Sequence, residues 1–278
     1  MSMHLVIQGD VVAERDLSQL SQLSGTREVV RLGPGVCRLI GAEQRPGIAE
    51  YCARARLDFG FVPENRKLAD MGLLAIDMDS TLITIECIDE MADMAEVKAE
   101  VSAITAAAMA GKLDYAESLR LRVGLLRGLS QGALAHVYAE RLRLAPGAEA
   151  MLAAMRRAGV RTLLVSGGFS YFTERLKTRL GLDYTISNAL EIEDGRLTGR
   201  VTGRIVDAEA KAAKLRSLRD ELGLVTGGVI AVGDGANDLA MMAEAGVSIA
   251  YRAKAVARGK ADYALDYSGL DGVLNLFA

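Results

Sequence analysis

The sequence predicts an α/β protein: a doubly wound, Rossmann-like parallel sheet carries a helical cap and is preceded by a small ferredoxin-like βαββαβ unit. Three observations predict it. From Pro146 onward, short apolar runs alternate with helical segments, the pattern of strands buried by helices on both faces. Polar clusters stand just beyond three apolar runs, at 77–81, 166–168 and 233–238, on the edge where open α/β sheets bind ligands. Residues 3–62 form an element series of their own. The expected division is 1–65 for the N-terminal unit and 72–278 for the larger one, with the cap at about 86–143.

In the first unit, Met3–Gln8 reads as a strand and Glu14–Leu23 as a helix with Leu17, Leu20 and Leu23 on one face. Arg27–Leu32 and Val36–Ile40 read as strands joined around the turn Gly33-Pro34-Gly35, Gln44–Arg56 as a helix and Leu57–Val62 as a last strand. The order β-α-β-β-α-β is that of the split βαβ arrangement. A polar stretch opening at Pro63 places a linker at 63–72.

Leu73–Ile76 is a strand apolar on both faces, and it ends in Asp77-Met78-Asp79-Ser80-Thr81. From Glu86 to Arg143 the chain is rich in Ala, Leu, Met, Glu and Arg and lacks proline, which predicts helices near 87–110, 114–127 and 131–142, a cap over the strand end. Beyond it, Ala148–Ala158 reads as a helix and Arg161–Val165 as a strand running into Ser166-Gly167-Gly168. Ser170–Leu180 is a helix, Tyr184–Ser187 a short strand, and Asp194-Gly195 the turn of a hairpin over 191–197. A helix over Ala208–Leu222 precedes the strand Gly228–Val232, which ends in Gly233-Asp234-Gly235-Ala236-Asn237-Asp238. Strands at Val247–Ala250 and Tyr263–Leu265 complete the alternation.

Composition narrows the chemistry. Of 278 residues, 50% are hydrophobic and 25% charged, as in an ordinary globular protein, and the net charge of −3 offers no attraction to nucleic acid or an anionic membrane. No apolar run approaches a bilayer span, and the opening residues lack the pattern of a signal peptide, so a cytoplasmic address is expected. Cys37, Cys52 and Cys87 form no CxxC pair, and His4 and His136 are too few for a Ser-His-Asp or histidine metal site. Carboxylates, Ser/Thr, Lys and Arg must do the work.

Gly233-Asp234-Gly235 is the start of a dinucleotide fingerprint, but Asp238 replaces its third glycine and two acids would face the pyrophosphate. No phosphate-binding loop of the kinase type is present. Singly, Asp77, Asp79, Asp234 and Asp238 read as turn or capping residues. Jointly, two on one strand end and two on another gather oxygen ligands suited to Mg2+. A phosphate approaching them is repelled, since unit charges about 4 Å apart interact by about 4 kcal/mol at an effective dielectric near 20. A cation and a lysine must offset this.

Asp-x-Asp-x-Thr at Asp77–Thr81, Ser166 at a strand end, Lys211 and Gly-Asp-Gly-x-Asn-Asp at Gly233–Asp238 together resemble the haloacid dehalogenase superfamily. Glu86, Ile88-Asp89-Glu90, Ala108–Leu113, Ser118–Val123 and Val165–Phe169 resemble the phosphoserine phosphatases within it, over roughly residues 72–275. The resemblance implies hydrolysis of O-phosphoserine to serine and phosphate, the last step of serine biosynthesis, through an aspartyl-phosphate on Asp77, with one Mg2+ per site. It implies Asp79 as general acid and then base, and as a metal ligand through its main-chain carbonyl. Asp77 and Asp234 would also hold the metal, with Asp238 behind them. Ser166, the Gly167 amide, Lys211 and Asn237 would hold the phosphate, Glu86 and Arg122 the amino-acid part, and Met109 would pack beside it. The chemistry is coherent: carboxylate attack splits one hard displacement into two, and an acid near an anion site makes sense where the substrate also carries an ammonium. Transfer to homoserine, or action on another small phosphate ester, is the alternative.

The N-terminal unit resembles the ACT-like modules found before some of these enzymes. Gly9-Asp10-Val11-Val12 lacks the proline-glycine pattern with which such modules bind amino acids, so a homodimer contact or a packing role is expected of it as much as effector binding.

Overall fold

The computed structural model describes residues 2–277. Its first sheet is antiparallel. Strands β1 (Met3–Gln8), β2 (Val29–Gly33), β3 (Val36–Leu39) and β4 (Asp58–Pro63) lie in the order β2-β3-β1-β4, and helices α1 (Glu14–Ser24) and α2 (Ile48–Ala55) cover one face. Period-2 alternation decides what each face meets. Leu5 and Ile7 pack under the helices, while Val6 joins the core of the larger unit. The α2 helix starts later than the sequence suggests, because Pro46 cannot donate and Gly47 takes φ +90°. Asp58 fastens the sheet to the chain's end: its buried carboxylate accepts N–H bonds from Asp266, Tyr267 and Ser268 at 2.7–3.3 Å.

The second sheet has seven strands. They are β5 (Leu73–Asp77), β6 (Arg161–Phe169), β7 (Tyr184–Glu193), β8 (Arg196–Thr202), β9 (Val229–Gly233), β10 (Val247–Tyr251) and β11 (Tyr263–Leu265), in the order β11-β10-β9-β5-β6-β7-β8. Every pairing is parallel except β7 with β8. The chain leaves β5 toward β6 and leaves β9 toward β10, so the connections diverge between β5 and β9. That is the topological switch point of an open α/β sheet, where the carboxyl ends open a crevice.

Alternation again sorts the core. Leu73 and Ala75 of β5 pack with Val229 and Ala231 of β9 under α9 (Ala208–Glu221) and α10 (Leu239–Met242). Leu74 and Ile76 face the opposite layer, which includes residues of α7 (Ala148–Arg157) and α8 (Ser170–Leu180). A short α11 (Ala255–Arg258) connects β10 to β11.

The cap comprises α3 (Cys87–Met94), α4 (Lys98–Met109), α5 (Tyr115–Leu125) and α6 (Gln131–His136), the last running into a wider π-type turn at Val137–Arg141. Where the composition suggests one helix over 87–110, the chain breaks at Glu96, whose φ is +58°. No glycine or proline marks the break. Burial of Val101 makes α4 turn back onto α3. The hairpin also exceeds its expected length: β7 is continuous from Tyr184 and leaves the sheet as a ribbon with β8. Gly128 donates to the Leu197 carbonyl at 2.8 Å and Leu197 returns a bond to Leu129 at 2.9 Å, so the ribbon supports the cap from below. Among the described residues no helix is long and apolar enough to cross a membrane.

Candidate active site

The site lies at the switch point, under the cap. Asp77 is the last residue of β5 and falls on the same face as Leu73 and Ala75, the face covered by α9. Asp207 caps α9 by accepting the Ala210 amide at 2.8 Å, and this fixes the first turn, which carries Lys211. The Lys211 ammonium is buried and donates to Asp77 Oδ1 at 2.5 Å and to Asp238 Oδ1 at 2.8 Å. Burial alone would lower its pKa, but the two carboxylates outweigh that and raise it, so the lysine is charged. Asp77 is pushed well up by burial and by Asp238, against the pull of Lys211.

The loop after β9 supplies the rest of the floor. Asp238 Oδ2 folds back to accept the amides of Asp234 and Gly235, both at 3.1 Å, and Asn237 donates to its other oxygen at 3.3 Å. Asp234 is paired with Lys254 at 3.1 Å. Burial raises the Asp234 pKa and Lys254 opposes that. Asp77, Asp234 and Asp238 each offer a carboxylate oxygen, and these atoms lie within 4.8 Å of one another. Carboxylate oxygens gathered at that spacing suit a hard cation better than a softer one.

Asp79 is held differently. Beyond the strand end the backbone turns at Ser80, which takes φ +56°. The Asp79 carboxylate is engaged outside the trio: Oδ1 accepts the Cys87 amide at 2.8 Å, at the start of α3, and Oδ2 accepts Ser166 Oγ at 3.3 Å. Burial raises its pKa and the Cys87 amide works against that.

A cavity of about 150 Å³ joins this floor to the cap. Its lining includes Asp77, Asp79, Gly167, Asp234 and Asn237 from the core and Glu86, Tyr115, Leu119 and Arg122 from the cap segment. Tyr115, Leu119 and Arg122 recur at i, i+4 and i+7 of α5, which puts them on one helical face. Glu86 keeps open solvent on one side at the mouth. Crowding by its neighbours, with the charges of Asp79 and Asp234, pushes its carboxyl up to about 7 against the Ser80 hydrogen bond (2.8 Å) and Lys254.

Of the residues singled out from the sequence, Asp77, Asp79, Asp234, Asp238, Glu86, Arg122, Ser166, Gly167, Lys211 and Asn237 are brought together here. Met109 is not: it ends α4, is 77% exposed and does not line the cavity. Lys211, rather than Lys214, enters the carboxylate cluster. Sequence reasoning missed Tyr115, Asn188 and Lys254. The helical spacing of Tyr115 to Leu119 and Arg122 was an available signal. Asn188 and Lys254 arrive through sheet pairing, which no linear spacing reveals.

A family model described as haloacid dehalogenase-like hydrolase matches residues 74–243, and one described as a domain of unknown function matches residues 5–48. The chain is 54% identical over 215 residues to a phosphoserine phosphatase of Polaromonas sp. (strain JS666), covering 76% of this chain and 91% of that one. It is 51% identical over 223 residues to a phosphoserine phosphatase of Albidiferax ferrireducens, covering 78% and 94%. Its fold matches the crystal structure of a probable phosphoserine phosphatase from Vibrio cholerae, unliganded form, with a TM-score of 0.88 at 36% identity, over 99% of this chain and 86% of that one.

Proposed function

The chain belongs to the haloacid dehalogenase-like hydrolases, and we infer that it is a phosphoserine phosphatase, a phosphoric monoester hydrolase that releases L-serine and phosphate from O-phospho-L-serine. One observation carries the reading to this chain's own residues: a single cavity is lined by the strand-end carboxylates below and by Glu86 and Arg122 above. Phosphoserine presents a phosphate, a carboxylate and an ammonium, and the lining offers a partner to each.

In the proposed mechanism an Asp77 oxygen forms a bond to phosphorus as the bond to the serine oxygen breaks, and Asp79 gives that oxygen its proton. The same Asp79, now ionised, takes a proton from the water that attacks the aspartyl-phosphate, which frees phosphate and restores Asp77. The buried Lys211 keeps the floor from repelling the incoming phosphate, while the Gly167 amide and Asn237 hold its oxygens; the one Ser166 proton goes to Asp79. Arg122 takes the substrate carboxylate and Glu86 the ammonium. A Mg2+ bound among Asp77, Asp234 and the Asp79 carbonyl, with Asp238 holding the loop behind, would neutralise phosphate charge. Both Asp238 oxygens already accept hydrogen bonds, which suits that supporting place.

Two separate sheets support the division at 1–65 and 72–278, with the cap at about 86–143. The open edge strand β2, with Val30 and Leu32 exposed, supports a homodimer through the N-terminal unit. Three buried free cysteines fit a reducing, cytoplasmic compartment.

Turnover of a panel of phosphomonoesters by the purified protein with Mg2+ is the test. Phosphate release from phosphoserine, abolished by Asp77→Asn, is expected. No phosphoserine turnover, or more phosphorylated homoserine than free phosphate when that acceptor is supplied, overturns the reading.

A further inference from the structure

Besides the direct bond from the Cys87 amide, one peptide unit connects the cap to the other oxygen of the Asp79 carboxylate. The Tyr115 hydroxyl, on the first residue of α5, donates to the Gly167 carbonyl at 2.9 Å. The amide at the other end of that peptide, on Gly168, donates to Ser166 Oγ at 2.8 Å, and Ser166 Oγ donates to Asp79 Oδ2 at 3.3 Å. Every donor in this series points the same way, from the cap toward the carboxylate, so each bond polarises the next. The weakest link is the last, beyond the 2.5–3.0 Å usual for O–H···O.

Two glycines make the approach possible. A Cβ on Gly167 would sit 2.3 Å from the Tyr115 hydroxyl oxygen, and one on Gly168 would sit 2.7 Å from Asp79 Oδ2. The core supplies a second donor to the same carbonyl: buried Asn188 bonds Gly167 O at 2.8 Å and is itself fixed by accepting the Val206 amide at 2.8 Å. This end of β6 is therefore bonded to the core as well. What Tyr115 adds is a contact from the cap itself.

We propose that Tyr115 is a positioning residue: its hydroxyl latches α5 to the Gly167 carbonyl and, through Gly168 and Ser166, aims the Asp79 carboxylate at the leaving oxygen. The latch forms only while the cap covers the cavity, so cap closure and alignment of the acid are one event. This rests on the function proposed above. It assigns to the phenol a task that an aromatic ring packed in the cavity wall would not need.

Tyr115→Phe removes one oxygen and keeps the ring. With phosphoserine as substrate, kcat is expected to fall about 3- to 10-fold, the range of one net hydrogen bond, with KM and the unfolding midpoint nearly unchanged. A double-mutant cycle then asks whether the effect passes through Ser166. In the Ser166→Ala background the same change should cost less than twofold. Equal losses in both backgrounds, a loss confined to KM, or an unchanged kcat overturns the proposal. Wild-type turnover in the same assay keeps the two readings apart: its absence defeats the phosphoserine reading, while its presence with an unaffected Tyr115→Phe defeats only the latch.

Discussion

Arg122→Ala should change which phosphate esters the enzyme prefers. The guanidinium lines the cavity from α5, its Nε bonded to the Ser118 carbonyl at 3.3 Å, and it forms no ion pair with an acidic side chain among the described residues. A planar fork in that position can take a carboxylate through two parallel bonds. Hydrogen bonds to charged groups contribute about 1.5–3 kcal/mol each. The site is half-open to solvent, so the pair is discounted to about 2–4 kcal/mol, which is roughly 30- to 700-fold at 1.4 kcal/mol per decade. Loss of that order in kcat/KM for phosphoserine is expected, against less than about threefold for p-nitrophenyl phosphate, which has no carboxylate to lose. Arg122→Lys, which keeps the charge and loses the fork, should fall between. Steady-state kinetics on both substrates decides it. Equal losses on the two esters would refute the assignment, because a residue that only supported the cap would harm both alike.

Lys211→Met removes the one buried cation between Asp77 and Asp238; breaking a buried pair costs about 3–5 kcal/mol, so at about 2–4 °C per kcal/mol the metal-free midpoint should fall by roughly 6–20 °C in a thermal melt, and an unchanged midpoint would contradict the pairing. Mg2+ at a hundred times its Kd should stabilise the protein by about 2.7 kcal/mol, an effect that chelation reverses and Asp234→Asn should largely remove in the same melts. At Asp183, burial is outweighed by Arg161 and by two bonds from Thr162, leaving the pKa lowered. Its contribution is therefore present above the unfolded value near 3.9 and is lost as pH falls toward the folded one, so Asp183→Asn should flatten the acid limb of stability against pH.

Much of this was legible in the chain because the informative residues sit at the ends of short apolar runs. Leu73–Ile76 and Val229–Val232 could be little else than buried strands, and the polar residues after them fall on the ligand-binding edge wherever the strands pair. The ferredoxin-like order was legible for a similar reason, with Gly33-Pro34-Gly35 marking the hairpin. The cap was harder. Its residues are helix formers throughout, so nothing local separates α3 from α4. The break at Glu96 follows from what Val101 must bury, a tertiary demand that overrides propensity. Met109 shows the same difficulty from the other side: its place at the end of α4 depends on how that helix crosses the cap, and here it ends in solvent.

The two aspartates of Asp77-Met78-Asp79 are neighbours in sequence yet take different partners, and strand parity explains the separation. Alternation from Leu73 through Ala75 carries Asp77 onto the α9 face, where Lys211 waits; a register slip of one residue would aim it into the opposite layer. Alternation ends with the strand. The left-handed turn at Ser80 then leads the chain into the cap, and Asp79, just before that turn, takes the amide at the head of α3 as its partner. The carboxylate proposed to attack is thus fixed to the rigid sheet at the point where its connections diverge. The carboxylate proposed to handle the proton accepts the Cys87 amide of the cap on one oxygen and Ser166 of core strand β6 on the other, and from Ser166 the bonds lead through Gly168 and Gly167 to Tyr115. Attack on phosphorus demands a fixed line, which β5 provides, and a cation beside it, which Lys211 of α9 supplies. Proton delivery demands that water be excluded when the leaving oxygen departs, and a carboxylate bonded both to the head of α3 and to core strand β6 stands where cap and core meet.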